Sequence, residues 1–182
     1  MPRKSRQRQS TLRALAFHEA GHAIVAIRCG LSIEGVSLRS ACTIHSDCDD
    51  EVANTPAGRR SARRHALFAY AGLAAERLVN PDATVRRDGA WDYQVARSVA
   101  RTLFPRSSVA RREYLVRIRR QADRTVRKLR EPLAALAHVL MRRPKMPGEE
   151  VEKVVAPYLR WLRLAPPPPE HRRRSVRGQV AK

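Results

Sequence analysis

Aromatic residues make up only 5% of this 182-residue chain, and Ala, Leu and Val carry most of its 43% hydrophobic content. So few aromatic side chains leave little material for a large sheet, whereas Ala and Leu suit packed helices, so the expected fold class is mainly α. Cysteine is scarcer still. Cys29, Cys42 and Cys48 form an odd set with no C-x-x-C pair, which argues against a disulfide framework and makes reduced thiols the expectation. No apolar run approaches the roughly 18 residues that span a bilayer. The basic start leads into a helical pattern instead of a signal-peptide core, so a cytoplasmic location without a transmembrane segment is expected. No G-x-x-x-x-G-K-[ST] nucleotide loop and no internal repeat occur in the sequence.

Acidic residues are also in deficit, 17 against 37 basic, for a net charge of +20. Much of the excess lies between Arg101 and Arg130, where eleven basic residues face only Glu113 and Asp123. Such a field attracts anions: nucleic acid, acidic lipid or acidic polypeptide. The same residues also read as the solvated side of a helix whose apolar side is Leu115, Ile118, Ala122, Val126 and Leu129.

Residues 1–10 read as a disordered basic tail, 11–163 as one domain, and 164–182 as a disordered Pro/Arg-rich tail. Within the domain a first helix is expected from Thr11 to Cys29, stopped by Gly30. Alternation through Ile33, Val36, Leu38 and Ile44 predicts a short strand pair ahead of an acidic turn. Further helices are expected over Pro56–Val79, Trp91–Phe104, Ser108–Leu140 with a break or kink near Pro132, and Gly148–Leu162. The acidic turn holds Cys42, His45 and Cys48, whose C-x2-H-x2-C spacing fits no common structural zinc site.

The most informative segment is Phe17-His18-Glu19-Ala20-Gly21-His22. Four residues bring two histidines back to one helix face, where both can bind one metal ion, and the glutamate between them can act as a base beside it. A catalytic zinc takes a third protein ligand. Metzincin spacing would put a histidine at position 28, which is Arg28, and Glu51 lies in the acidic turn. Asp92 is the better candidate, at the start of a predicted helix anchored by Val95, Ala96 and Val99.

These residues carry a resemblance. Ala16 to Ala23 resembles the A-[YF]-HEAGHA signature of the peptidase domain of FtsH-type AAA metalloproteases. Ala71-Gly72-Leu73-Ala74-Ala75-Glu76 is similar to its GGRAAE segment, and Gly89-Ala90-Trp91-Asp92 to its helix bearing the aspartate ligand. Met146-Pro147-Gly148-Glu149-Glu150-Val151 gives a weaker echo of its final helices, so the likeness covers roughly residues 12–159. Leu73, Trp91 and Tyr93 depart from the pattern.

The resemblance implies a zincin-like helical peptidase domain with a small β-hairpin or strand pair after the HExxH helix. It implies Zn2+ as cofactor, His18, His22 and Asp92 as metal ligands, and Glu19 as the catalytic base. Glu76 matches a family glutamate and is implied either to orient a ligand imidazole or to pair with one of the many arginines. The expected substrates are peptides and unfolded proteins, taken by edge pairing on the strands or delivered by an ATPase or adaptor in trans. The competing expectation is a non-catalytic, zinc-stabilised module that binds nucleic acid or an acidic protein.

Overall fold

The computed structural model describes residues 2–40, 42–45, 55–83 and 87–158. Among them are six α-helices and a small sheet: α1 (Pro2–Cys29), β1 (Ile33–Ser37), β2 (Cys42–His45), α2 (Pro56–Glu76), α3 (Arg87–Leu103), α4 (Ser108–Lys128), α5 (Arg130–Arg142), β3 (Lys145–Pro147) and α6 (Gly148–Val155). A single 3-10 turn, Ala156–Tyr158, follows. The fold is mainly α, as composition predicts, and no helix among the described residues is long and apolar enough to cross a membrane.

Helix α1 is the axis of the core. Residues 16–26 are buried on every side of it, with α2 against one flank and α5 against another. Small residues make this possible: Ala16, Ala20, Ala23 and Ala26 are wholly buried, and a Cβ at Gly21 would run into Ala75 and the Ala71 carbonyl of α2. The helix ends where expected. Gly30 takes φ +74°, its N–H bonds the Ile27 carbonyl at 3.0 Å, and Leu31 N–H bonds the Ala26 carbonyl at 2.9 Å. This paired closure with a left-handed glycine satisfies carbonyls that the helix leaves unbonded.

The start of α1 differs from expectation. It begins at Pro2, inside the segment read as a disordered tail. That stretch holds no glycine and no proline after Pro2, and Arg, Lys and Gln are good helix formers, so a nucleated helix extends backward at little cost. The C-terminal tail, and the domain boundary expected at residue 163, lie outside the described residues.

The remaining helices pack outward from α1, with α2 against α3 and α4. Helix α2 starts at Thr55, whose Oγ1 accepts the Gly58 N–H at 3.0 Å, with Pro56 in the first turn; it stops at Glu76, three residues before the expected Val79. Helix α3 begins at Arg87, four residues early. The burial of Ala96 and Ala100 against the core outweighs the roughly 1 kcal/mol that Gly89 costs in a helix. The long helix expected from Ser108 does break near Pro132, at Leu129, three residues before it. A proline cannot donate to the carbonyl four residues back, here Lys128, so the interruption falls one turn upstream and leaves Pro132 in the first turn of α5, where a missing N–H is harmless.

The sheet has the order β2-β1-β3, both pairs antiparallel. The expected β1/β2 pair is present, with a register shift between Ile33 and Gly35 that lets Ile33 and Val36 both face the core despite their odd separation. Strand β3 was not expected. Three residues are too few for their alternation to mark a strand, and it exists because β1 pairs with it, Val36 opposite Met146, which buries Met146. Both edges of β1 are thereby occupied, so an extended substrate could pair only with β2 or β3.

Candidate metal centre

His18 and His22 stand one turn apart on the buried core of α1, 5% and 4% exposed. Their ring centroids lie 4.8 Å apart. Each ring is held by its Nδ1. His22 Nδ1–H donates to the Phe68 carbonyl of α2 at 2.9 Å and the ring packs on the Phe68 ring, while His18 Nδ1 lies 3.4 Å from Glu76 Oε2. Gly72 lies between these two contacts on α2. A Cβ there would collide with Nε2 of both histidines, so the absent side chain is what admits the imidazoles.

With Nδ1 engaged, each neutral ring turns an Nε2 lone pair inward. Helix α3 brings Asp92 to meet them. The distances are 3.1 Å from His18 Nε2 to Asp92 Oδ2, 3.2 Å from His22 Nε2 to the same oxygen, and 3.1 Å between the two Nε2 atoms. Three acceptors so close repel one another unless a positive charge sits among them. In the metal-free protein that charge is a proton: burial opposes ionisation of His18, but the hydrogen bonds its ring donates to Asp92 and Glu76 and the charges of Glu19 and Asp92 prevail, raising its pKa from 6.5 to about 10. For Asp92, burial works against ionisation, yet the neighbouring His22 and His18 rings hold its carboxyl well below the usual carboxylate range.

A metal cation fits the place of that proton. A tetrahedral ion with bonds of about 2.0–2.1 Å spaces its donors about 3.3 Å apart, close to the triangle observed. Two imidazoles and one carboxylate are a donor set suited to zinc and its neighbours. Among the described residues, His18, His22 and Asp92 are the one such cluster that could hold a metal ion.

The structure therefore brings together His18, His22, Asp92 and Glu76, with Glu19 buried at 2% exposure beside them on α1. Of the two readings open for Glu76, its carboxylate faces the imidazole. Cys29 is not in the cluster, and burial pushes its thiol up to about 11, against the pull of Arg64, Arg28 and Arg63. The Cys42, His45 and Cys48 cluster lies outside what is described, Cys48 wholly and the other two in their side chains. Sequence reasoning missed the Phe68 carbonyl as a partner for His22 and the clearance at Gly72. The signal was there, since Phe68, Gly72 and Glu76 repeat at four-residue intervals and so share one helix face.

No protein-family model matches the chain, and no curated protein matches it. The arrangement of side chains thus carries the functional argument: a buried His-His-Asp centre with an adjoining glutamate on a helical scaffold.

Proposed function

We propose that this protein is a zinc metallopeptidase of the FtsH-type peptidase-domain class, cutting peptides, unfolded segments, or chains brought by a separate ATPase or adaptor. One observation carries the reading. Both histidines have Nδ1 committed, to Phe68 and Glu76, so that two Nε2 atoms and Asp92 Oδ2 converge at 3.1–3.2 Å next to a buried glutamate.

His18, His22 and Asp92 would hold the zinc, and the ion supplies Lewis acidity, which lowers the pKa of water and polarises a peptide carbonyl. The protein's own groups do the rest. Glu76 and the Phe68 carbonyl fix the ring tautomers and keep both Nε2 atoms unprotonated once a cation is present. Glu19 carries the proton. It accepts one from the attacking water as the oxygen–carbon bond forms, and returns it to the amine nitrogen as the carbon–nitrogen bond breaks, so the carboxylate ends as it began. Its burial keeps bulk water from competing for that proton.

Glu19→Gln preserves shape and removes the base. Cleavage of an unfolded protein by the zinc-loaded variant should fall about 10²- to 10⁴-fold with zinc content unchanged. Wild-type rates in Glu19→Gln, or no cleavage by zinc-loaded wild type, would remove the peptidase reading.

A further inference from the structure

Helix α2 has two working faces. Gly72 and Glu76 face the histidines of α1; Ala74, with Arg77 and Leu78 of the turn that follows the helix, lines a cavity of about 470 Å3 against α4. Arg77, Arg119 and Arg127 give this cavity three guanidinium groups, and Asp82 and Asp123 add two carboxylates. Among the described residues none of the five forms an ion pair, and Arg77 is steadied by its Nε–H to the Ala83 carbonyl at 3.3 Å. A concave surface with an excess of unpaired cations concentrates anions.

The positive surface continues toward the metal centre. Burial and the neighbouring Tyr93 raise the Tyr70 hydroxyl to about 12, and Arg119 of α4 and Arg97 of α3 pull it the other way. The Arg97 guanidinium lies 5.6 Å from the centroid of the Tyr93 ring, and Tyr93 adjoins Asp92 in the chain. Arg97 thus sets a further cation at the ligand-bearing end of α3.

We propose that this cavity is an exosite for acidic residues of the polypeptide cut at the His18–His22–Asp92 centre, a proposal that rests on the peptidase reading. An acidic peptide fits better than a nucleic acid. A phosphodiester chain carries a negative charge at every residue and would meet Asp82 and Asp123, whereas a peptide spaces its carboxylates with neutral amides whose N–H groups those aspartates can accept. Helix α2 is about 10 Å thick with its side chains. An extended chain advances about 3.4 Å per residue, so the acidic residues belong about four or more positions from the scissile bond.

The test uses internally quenched peptides sharing one central sequence, with Glu, Gln or Lys triplets placed four to seven residues from its middle. With zinc-loaded wild type, kcat/KM should be about five- to tenfold higher for the Glu peptide than for the Gln peptide, the effect of one or two exposed charge pairs. Arg119→Glu with Arg127→Glu should reverse the preference toward Lys, and Arg119→Gln with Arg127→Gln should abolish it. The equally charge-altering pair Arg142→Glu and Lys153→Glu, exposed on α5 and α6, should leave it in place.

Equal kcat/KM for the Glu and Gln peptides, or a preference lost alike in the control pair, overturns the exosite and spares the peptidase reading. Binding is followed separately by anisotropy in zinc-loaded Glu19→Gln. Arg119-dependent binding of the Glu peptide without cleavage by wild type would overturn the peptidase reading and keep the acidic-peptide site. Tighter binding of single-stranded DNA with the same arginine dependence would overturn the choice of occupant.

Discussion

His18 is the residue on which the centre's electrostatics turn. Its proton and a metal ion compete for one position, between Nε2 and Asp92 Oδ2, and the competition sets opposite pH trends for the two forms. In the metal-free protein the folded-state pKa of about 10 exceeds the unfolded value of 6.5. The protonated ring therefore contributes stability that is fully present below pH 6.5 and is lost as pH rises through about 10. Asp92 is shifted the other way, so its contribution is present above its ordinary value of 3.8 and lost as pH falls below it. Metal binding requires the ring deprotonated, so apparent zinc affinity should rise with pH, by up to about tenfold per unit below the ring's pKa. Thermal unfolding of chelated protein at pH 6.5, 8 and 9.5 should show a falling midpoint, while zinc affinity over the same series increases. A metal-free midpoint that climbs over that range would show that the proton is not held as described.

At the scale of elements, the centre depends on how closely α2 approaches α1. The approach is set by two missing side chains: Gly21 on α1 meets Ala75 and Ala71, and Gly72 on α2 meets the histidine rings. Gly72→Ala sets two effects against each other. Alanine favours the helix by about 1 kcal/mol, but its methyl group would occupy the space of both Nε2 atoms, and overpacking of this kind costs about 1–3 kcal/mol. The second effect should win, since rings anchored at Nδ1 have nowhere to retreat. Expected outcomes are zinc content reduced to background and a net loss of stability in urea unfolding. Full zinc occupancy in Gly72→Ala would contradict the packing described.

The elements also show what was legible beforehand. The HExxH helix and its glycine stop could be read directly, because periodicity and a left-handed cap are local properties. Asp92 could be reached as well, by asking for a third ligand on a helix with an apolar anchor. The break at Leu129 was placed three residues late because proline acts on the carbonyl behind it. Strand β3 left no trace in its own three residues, since only its partner β1 defines it. The Phe68 carbonyl is legible only in part: the four-residue repeat of Phe68, Gly72 and Glu76 marks one helix face, but a backbone oxygen has no letter in the sequence, and its role follows from where α2 lies on α1.

On the scale of the whole molecule, two distributions stand apart. The side chains that could hold a metal ion are gathered in the helical core, His18 and His22 on α1 and Asp92 on α3, with Glu76 of α2 beside them. The positive charge lies outside, most densely on α4, with its apolar residues Ile118, Ala122 and Val126 turned inward. A basic periphery of this kind attracts anionic chains. The centre also ties α3 to α1 and α2, so a bound ion should hold the three helices together and its removal should lower the unfolding midpoint by mass action.

The most direct test is zinc stoichiometry by elemental analysis, comparing wild type and Asp92→Ala after reconstitution and removal of loosely bound metal. One equivalent in wild type and near zero in the variant is the predicted result. No tightly held zinc in wild type, or one equivalent in both proteins, would contradict a centre built from His18, His22 and Asp92.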